Sequence, residues 1–183
     1  MKTKHPIAEV MPLALDLMGQ LRESVERIEV AGSLRRQKVE VGDIELVAIP
    51  KLGLLRRETD TDIFGNQKVT DTTGSLLWLR LDGLVNRFEK RGEKYRQFQW
   101  KGVQVDFFTA ERGNWGWIYL VRTGSADFSH RVAATLNGRG YTSAMGYIRK
   151  KSQSISEPIE TPEEEDVFRL AGMKWVDPVH RTA

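Results

Sequence analysis

The chain has 183 residues, with 28 Lys and Arg against 25 Asp and Glu, which gives a formal net charge of +3. A hydrophobic share of 40% and a charged share of 29% are typical of a globular protein and exclude collagen-like, long coiled-coil and wholly disordered chains. The sequence has no cysteine, which excludes disulfides, thiolate metal sites and a cysteine nucleophile.

No stretch of the sequence reaches the roughly 18 apolar residues that a membrane span requires, and no secretory signal is recognisable. We therefore expect a soluble, intracellular protein without membrane contact. We also expect it to act as a monomer.

The first 112 residues contain both helical and strand-like patterns of apolar residues. Residues that end a strand, such as Pro50, separate these patterns. The predicted elements are a helix at 6–27, strands at 28–31 and 43–49, a loop or hairpin at 51–74, a helix at 76–88, and strands at 94–100 and 102–108. These elements predict one domain over 1–112, with a mixed sheet and two helices.

The remaining residues, 113–183, have a different pattern and predict a small α/β subdomain. The predicted elements are a helix at 114–122, a helix capped by Ser125 or Asp127 that runs to about 136, a strand at 141–147, and a helix that begins at a Thr161-Pro162-Glu163-Glu164 capping box and ends at Gly172. The fold class is therefore α+β, with a boundary near residue 112.

Two acids lie at i and i+2 on the second predicted strand, so Asp43 and Glu45 point to the same face. Two carboxylates held close together in an apolar sheet repel each other unless a cation lies between them. Mg²⁺ is the natural cation because it prefers hard oxygen ligands and accepts water and phosphate in its remaining positions.

Asp106 is the lone acid on the otherwise apolar strand at 102–108. If that strand lies beside the strand of Asp43 and Glu45, three carboxylates converge. Such a set can hold two metal ions about 3.5–4 Å apart, an arrangement suited to in-line displacement at phosphorus.

A phosphate-binding pattern precedes these acids. Backbone N–H groups at Gly32-Ser33 can approach a phosphate closely, and the guanidinium groups of Arg35 and Arg36 can contact phosphate through two hydrogen bonds each. Metal-binding acids and a triphosphate cradle within one short segment indicate nucleotidyl transfer rather than hydrolysis of a small ester.

Together these motifs resemble the nucleotidyltransferase superfamily, and within it the X family of DNA polymerases, which contains polymerases beta and lambda. The pattern Gly-Ser-x-Arg-Arg, then Gly42-Asp43-x-Glu45, is similar to the family's palm. The segment Thr123-Gly124-Ser125 resembles its nucleotide-closing turn, and residues 161–181 resemble its C-terminal end. The resemblance covers about residues 5–183.

The resemblance implies a role for each matched residue. Asp43, Glu45 and Asp106 would be the catalytic and metal-binding acids, holding two Mg²⁺ ions for which Mn²⁺ can substitute. The implied nucleotide-binding residues are Ser33, Arg36 and Gly42 at the β- and γ-phosphates, Thr123 and Gly124 by the sugar, Ser129 near the base or the minor groove, and in addition Gly32 and Arg122.

The resemblance further implies a DNA polymerase that adds dNMP from dNTP to a primer 3′-hydroxyl on a primer–template or gapped duplex, in gap filling or repair. This sequence departs from the family pattern in having Glu45 for an aspartate, and Val121-Arg122 for an aromatic pair that bars the ribose 2′-hydroxyl. A template-independent or small-molecule nucleotidyltransferase and a non-catalytic nucleic-acid-binding module are the alternatives.

Overall fold

A computed structural model describes residues 3–61, 67–151 and 157–182. Within these ranges the helices are α1 (Ile7–Leu21), α2 (Gly32–Arg35), α3 (Leu76–Leu84), α4 (Trp115–Thr123), α5 (Ala126–Gly138) and α6 (Glu164–Ala171). Short 3-10 turns lie at Arg22–Ser24, Arg112–Asn114 and Pro178–His180. No helix of the described ranges has the length and apolar character needed to cross a membrane.

The strands of the described ranges are β1 (His5–Pro6), β2 (Val25–Val30), β3 (Glu40–Val41), β4 (Ile44–Pro50), β5 (Leu52–Thr61), β6 (Gln67–Ser75), β7 (Phe88–Arg91), β8 (Tyr95–Trp100), β9 (Val103–Thr109), β10 (Tyr141–Ala144) and β11 (Tyr147–Lys150). Five of them form a sheet in the order β2-β4-β9-β8-β7. The β4–β9 pair is parallel and its neighbours are antiparallel, so the predicted mixed sheet is confirmed.

Strand alternation gives the sheet two different faces. One face carries Ile44, Leu46 and Phe107 into the largest apolar cluster, where α1 and α3 cover it with Leu17 and Leu77 among others. On the opposite face Val47, Ile49 and Phe108 pack against Trp115 and Tyr119 of α4. The helices α1 and α3 therefore leave the second face of the sheet to α4 and to polar side chains.

Several predicted boundaries were wrong. The first helix ends at Leu21, not near residue 27, because the Ser24 hydroxyl donates a hydrogen bond to the Leu21 carbonyl and the chain then enters β2. Of the two alternatives for 51–74, the described residues form a hairpin of β5 and β6. The segment at 141–147 is likewise a hairpin, of β10 and β11, rather than one strand.

The capping box of α6 lies two residues later than predicted. Glu163, rather than Thr161, is the N-cap, and its side chain and that of Asp166 accept reciprocal backbone hydrogen bonds. The predicted end at Gly172 is confirmed, with Gly172 in the left-handed conformation at φ 62°. Because the box begins at Glu163, Glu164 becomes the first helical residue and its side chain is free to turn inward.

A buried ion cluster joins α6 to α2. The Glu164 carboxylate is 3% exposed and accepts two hydrogen bonds from Arg35, at 2.8 and 2.7 Å, and two more from Arg181, which is fully buried. The Arg35 guanidinium also lies 3.7 Å from the centre of the Tyr119 ring. We call Arg35, Glu164 and Arg181 the arginine–glutamate clamp, because it ties residues 32–36 to the C-terminal part of the chain.

We expect Glu164→Gln to destabilise the protein by about 3–5 kcal/mol, because removing one partner leaves buried arginine charge uncompensated. Urea unfolding of the wild type and the variant measures this change. Glu165→Gln is the matched control, since the neighbouring glutamate is exposed and its loss should cost less than about 0.5 kcal/mol. Equal effects of the two substitutions would contradict a structural role for the clamp.

The clamp also predicts a pH dependence. Burial alone raises the pKa of Glu164, but the hydrogen bonds from Arg35 and Arg181 outweigh it and hold the pKa below the ordinary 4.5. A carboxyl whose pKa folding lowers contributes stability that is present above the ordinary value and is lost as the pH falls through the folded value. The stability difference between wild type and Glu164→Gln should therefore be full at neutral pH and shrink below 4.5.

Candidate active site

The predicted acids meet on the sheet face that α4 only partly covers. Glu45 of β4 and Asp106 of β9 are direct partners in the parallel register. Asp43 precedes β4 by one residue, and its charge acts on Glu45 together with that of Asp106. Burial, followed by these two charges, raises the pKa of Glu45 to about 7. The structure thus brings the three acids into one electrostatic unit.

The donor chemistry of this unit fits a hard divalent cation, because carboxylate oxygens are the ligands that Mg²⁺ prefers and a cation would relieve the repulsion that raises the pKa of Glu45. The three acids by themselves do not form a complete metal-binding site. Among the residues that the structure describes, no group of three or more His, Cys, Asp or Glu side chains is arranged so that it could hold a metal ion.

Gly32 lies directly against Glu45. It has φ +56°, and a Cβ at this position would come within 1.6 Å of Glu45 Oε2. The contact is fixed locally, because the Ala31 N–H donates to the Glu45 carbonyl at 2.8 Å. Both the conformation and the close approach require glycine here, so the Gly-Ser segment and the acids form one surface.

Among the other predicted phosphate-binding residues, Arg36 interacts electrostatically with two of the acids. Burial lowers its pKa, and the charges of Glu45 and Asp43 oppose that shift. Its guanidinium also donates to the Thr123 carbonyl. Ser33 is half-buried on α2, and Gly42 directly precedes Asp43. These residues border the acids from the side of α2.

Arg122 at the end of α4 also interacts electrostatically with the acids. Burial lowers its pKa, while the charges of Glu45 and Asp106 act in the opposite direction. Its guanidinium carbon lies 3.9 Å from the centre of the Phe108 ring. Arg122 was predicted to bind the nucleotide, and this contact stays a prediction; the structure shows Arg122 as a positive charge beside Glu45 and Asp106.

The remaining residues that were predicted to contact the nucleotide already contact other residues of the protein. Thr123 is fully buried, and its hydroxyl accepts a hydrogen bond of 2.7 Å from Arg35. Ser129 is 8% exposed and donates to the Val121 carbonyl at 3.1 Å. A Cβ on Gly124 would lie 2.7 Å from the Ser129 hydroxyl. Their contacts with a nucleotide therefore stay predictions, and their visible role is to fix the turn after α4.

Sequence reasoning missed the side chains that hold Asp106. Tyr95 and Gln97 donate to its Oδ1 at 2.6 and 2.7 Å, and Gln104 donates to Oδ2 at 2.8 Å. A signal was present, because on β8 the polar Tyr95 and Gln97 alternate with the buried Arg96 and Phe98. That alternation places the polar pair on the face of Asp106 once β8 and β9 form a hairpin.

A cleft of about 780 Å³ adjoins this region. Tyr95, Phe108 and Arg122 form the wall that it shares with the acids, and Ile118 and Gly146 lie among the residues on the C-terminal side. The charged lining residues are predominantly basic: Arg91, Lys94, Arg96 and Arg122 against Glu93 and Glu111. Arg91 and Arg96 pair with Asp82, and Lys94 pairs with Glu111, so most of this positive charge is compensated within the protein.

Comparison with known proteins gives a structural match only. No protein-family model and no curated protein sequence matches the chain. Among solved structures, polymerase beta of Leishmania infantum, in a ternary primer–template complex, matches with a TM-score of 0.72 at 17% identity. The match covers 98% of this chain and 77% of that protein. The chain therefore has a polymerase-beta-like fold, with a mixed sheet that carries its acids on the face toward α4.

Proposed function

We propose that this protein is a nucleotidyltransferase of the polymerase X type that adds dNMP from dNTP to a primer 3′-hydroxyl and releases pyrophosphate. The observation that carries the proposal is the parallel register of β4 and β9. It sets Glu45 opposite Asp106, and Gly32 lies against Glu45 in the same place. The polymerase-beta-like fold supports the same conclusion.

Asp43, Glu45 and Asp106 would hold the divalent metal, two Mg²⁺ ions or Mn²⁺ in their place. When bound, the metal supplies charge neutralisation at the reacting phosphate and lowers the pKa of the attacking hydroxyl. Glu45 must be ionised to take part. Its raised pKa of about 7 means that proton release from Glu45 accompanies cation binding near neutral pH.

The reaction itself is an in-line displacement. The primer 3′-oxygen forms a bond to the α-phosphorus, and the bond between that phosphorus and the bridging oxygen to the β-phosphate breaks. In the proposed site Asp106 orients the 3′-hydroxyl and accepts its proton as the new bond forms, and the bridging oxygen leaves with the pyrophosphate. The remaining work of the protein is positioning and electrostatic stabilisation.

Cationic side chains at the edges of the acid unit suit a triphosphate. Arg36 and Arg122 both interact electrostatically with Glu45, from α2 and α4 respectively. We assign Arg36, with Ser33 and Gly42, to the β- and γ-phosphates. Gly32, Arg122, Thr123, Gly124 and Ser129 complete the proposed nucleotide site. A guanidinium group matches the geometry of phosphate oxygens and keeps its charge when partly buried.

A DNA primer and its template are the proposed macromolecular substrate, and the polymerase-beta-like fold supports this assignment. Arg122 stands where the family has an aromatic residue that screens the sugar, which favours incorporation of NTP as well as dNTP. Primer extension with dNTP against NTP tests this, and extension with and without a complementary strand tests whether a template is required.

We expect Asp106→Asn to lower the rate of primer extension by at least about 100-fold, because the neutral amide cannot replace a metal-binding carboxylate that positions the primer. Steady-state extension of a gapped duplex with Mg²⁺ measures the rate. Glu89→Gln is the matched control, an acid-to-amide change at an exposed position on the edge strand β7. Retention of full activity by Asp106→Asn, with thermal melting unchanged, would refute the proposed chemistry.

We expect Gly32→Ala to abolish most activity and to destabilise the protein by about 1–3 kcal/mol, because alanine is strained at positive φ and its methyl group displaces Glu45. Gly83→Ala is the control, since this helical glycine has open space where a Cβ would lie and the change should be neutral or stabilising. Urea unfolding and primer extension are measured together. Normal activity of Gly32→Ala would separate the Gly-Ser segment from the site.

A further inference from the structure

We propose that Tyr95, Gln97 and Gln104 are positioning residues that set the orientation of the Asp106 carboxylate toward the divalent metal. This inference deepens the proposed function and rests on it. None of the three belongs to the motifs that carry the resemblance to polymerases, and their assignment comes from the contacts of Asp106 alone.

The contacts are fixed by the sheet. Gln97 on β8 is the register partner of Asp106 on β9, and Tyr95 lies two residues before Gln97 on the same face. Gln104 lies two residues before Asp106 on β9. Tyr95 Oη and Gln97 Nε2 reach Asp106 Oδ1 at 2.6 and 2.7 Å, and Gln104 Nε2 reaches Oδ2 at 2.8 Å. Donors on both oxygens fix the rotation of the carboxylate as well as its position.

Tyr95 is itself held in place. Its ring stacks on Phe108 with a centroid distance of 4.8 Å and an interplanar angle of 16°. Phe108 is buried in turn between Tyr95 and the Arg122 guanidinium, which lies 3.9 Å from the Phe108 centroid. A phenol anchored through its ring can hold its hydroxyl at a fixed point, which is what a positioning residue requires.

The chemistry of these donors suits a site that must attract a cation. A phenol and two amides are neutral, so they orient the carboxylate without cancelling its negative charge. Hydrogen-bonded partners of this kind around a metal ligand typically contribute 10–100-fold to metal affinity or activity. These three hydrogen bonds therefore set the geometry of Asp106 and leave its charge in place.

The test uses the full-length chain and Tyr95→Phe, Gln97→Met and Gln104→Met, which remove each donor at nearly constant size. Mn²⁺ binding to the free protein, without DNA or nucleotide, is followed by the electron paramagnetic resonance signal of unbound Mn²⁺. We expect each variant to raise the Kd for Mn²⁺ by about 10-fold or more. In primer extension kcat should fall while KM for dNTP stays unchanged.

Gln99→Met is the matched control. Gln99 lies on the same strand and face as Gln97, but its register partner is Gln104 rather than Asp106, and its replacement should leave Mn²⁺ binding as in the wild type. The inference is overturned if the wild type binds no Mn²⁺, if Gln99→Met weakens binding as much as Gln97→Met, or if all three test variants bind Mn²⁺ normally.

The two proposals fail in distinguishable ways. If the wild type binds Mn²⁺ and the three variants bind it weakly, but no protein extends a primer, the positioning role stands and the polymerase proposal fails. If the wild type extends primers and Tyr95→Phe, Gln97→Met and Gln104→Met do so with the same kcat and the same Kd for Mn²⁺, the polymerase proposal stands and the positioning role fails.

Discussion

The parallel pairing of β4 with β9 is the constraint on which the rest of this structure depends. It forces Glu45 and Asp106, both acidic, to be neighbours on a largely buried sheet. The unfavourable interaction of these acids raises the pKa of Glu45, which burial and the two nearby carboxylates shift from an ordinary 4.5 to about 7. Such a shift corresponds to about 3 kcal/mol. The apolar cluster under α1 and α3, on the other face of the same strands, provides the stability that offsets it.

The second determinant is the way in which α2 is held. Residues 32–36 contact the acids through Gly32 and Arg36, and they contact α4 and α6 through Arg35 and Arg36. The division at residue 112 is a prediction from sequence pattern. The clamp and the apolar cluster around Trp115 both connect residues before position 112 with residues after it. The Ala31 N–H fixes the start of α2 against β4, and Glu164 holds its end through Arg35.

The sequence predicted the parts of this arrangement that follow from local patterns. Period-two alternation put Asp43 and Glu45 on one face, and a lone acid in an apolar strand marked Asp106. The convergence of those acids required a strand pairing that the sequence left as a hypothesis. The burial of Thr123 could not be predicted, because it depends on a hydrogen bond from Arg35, 88 positions earlier in the chain. Likewise, Glu163 rather than Thr161 begins α6, and this register turns Glu164 toward two arginines from outside its own helix.

Two kinds of side chain surround the acids, neutral hydrogen-bond donors and positively charged guanidinium groups. The side chains that donate hydrogen bonds to Asp106 are a phenol and two amides, so these hydrogen bonds leave its negative charge in place. Glu45 interacts electrostatically with the guanidinium groups of Arg36 and Arg122, and Arg122 also interacts with Asp106. A metal ion would be drawn to the acidic centre, and a triphosphate to its cationic edges. The two arginines belong to one connected surface, because the Arg36 guanidinium donates to the carbonyl of Thr123, the residue that follows Arg122. The clamp extends this connection to α6, because Arg35 donates both to the Thr123 hydroxyl and to the Glu164 carboxylate.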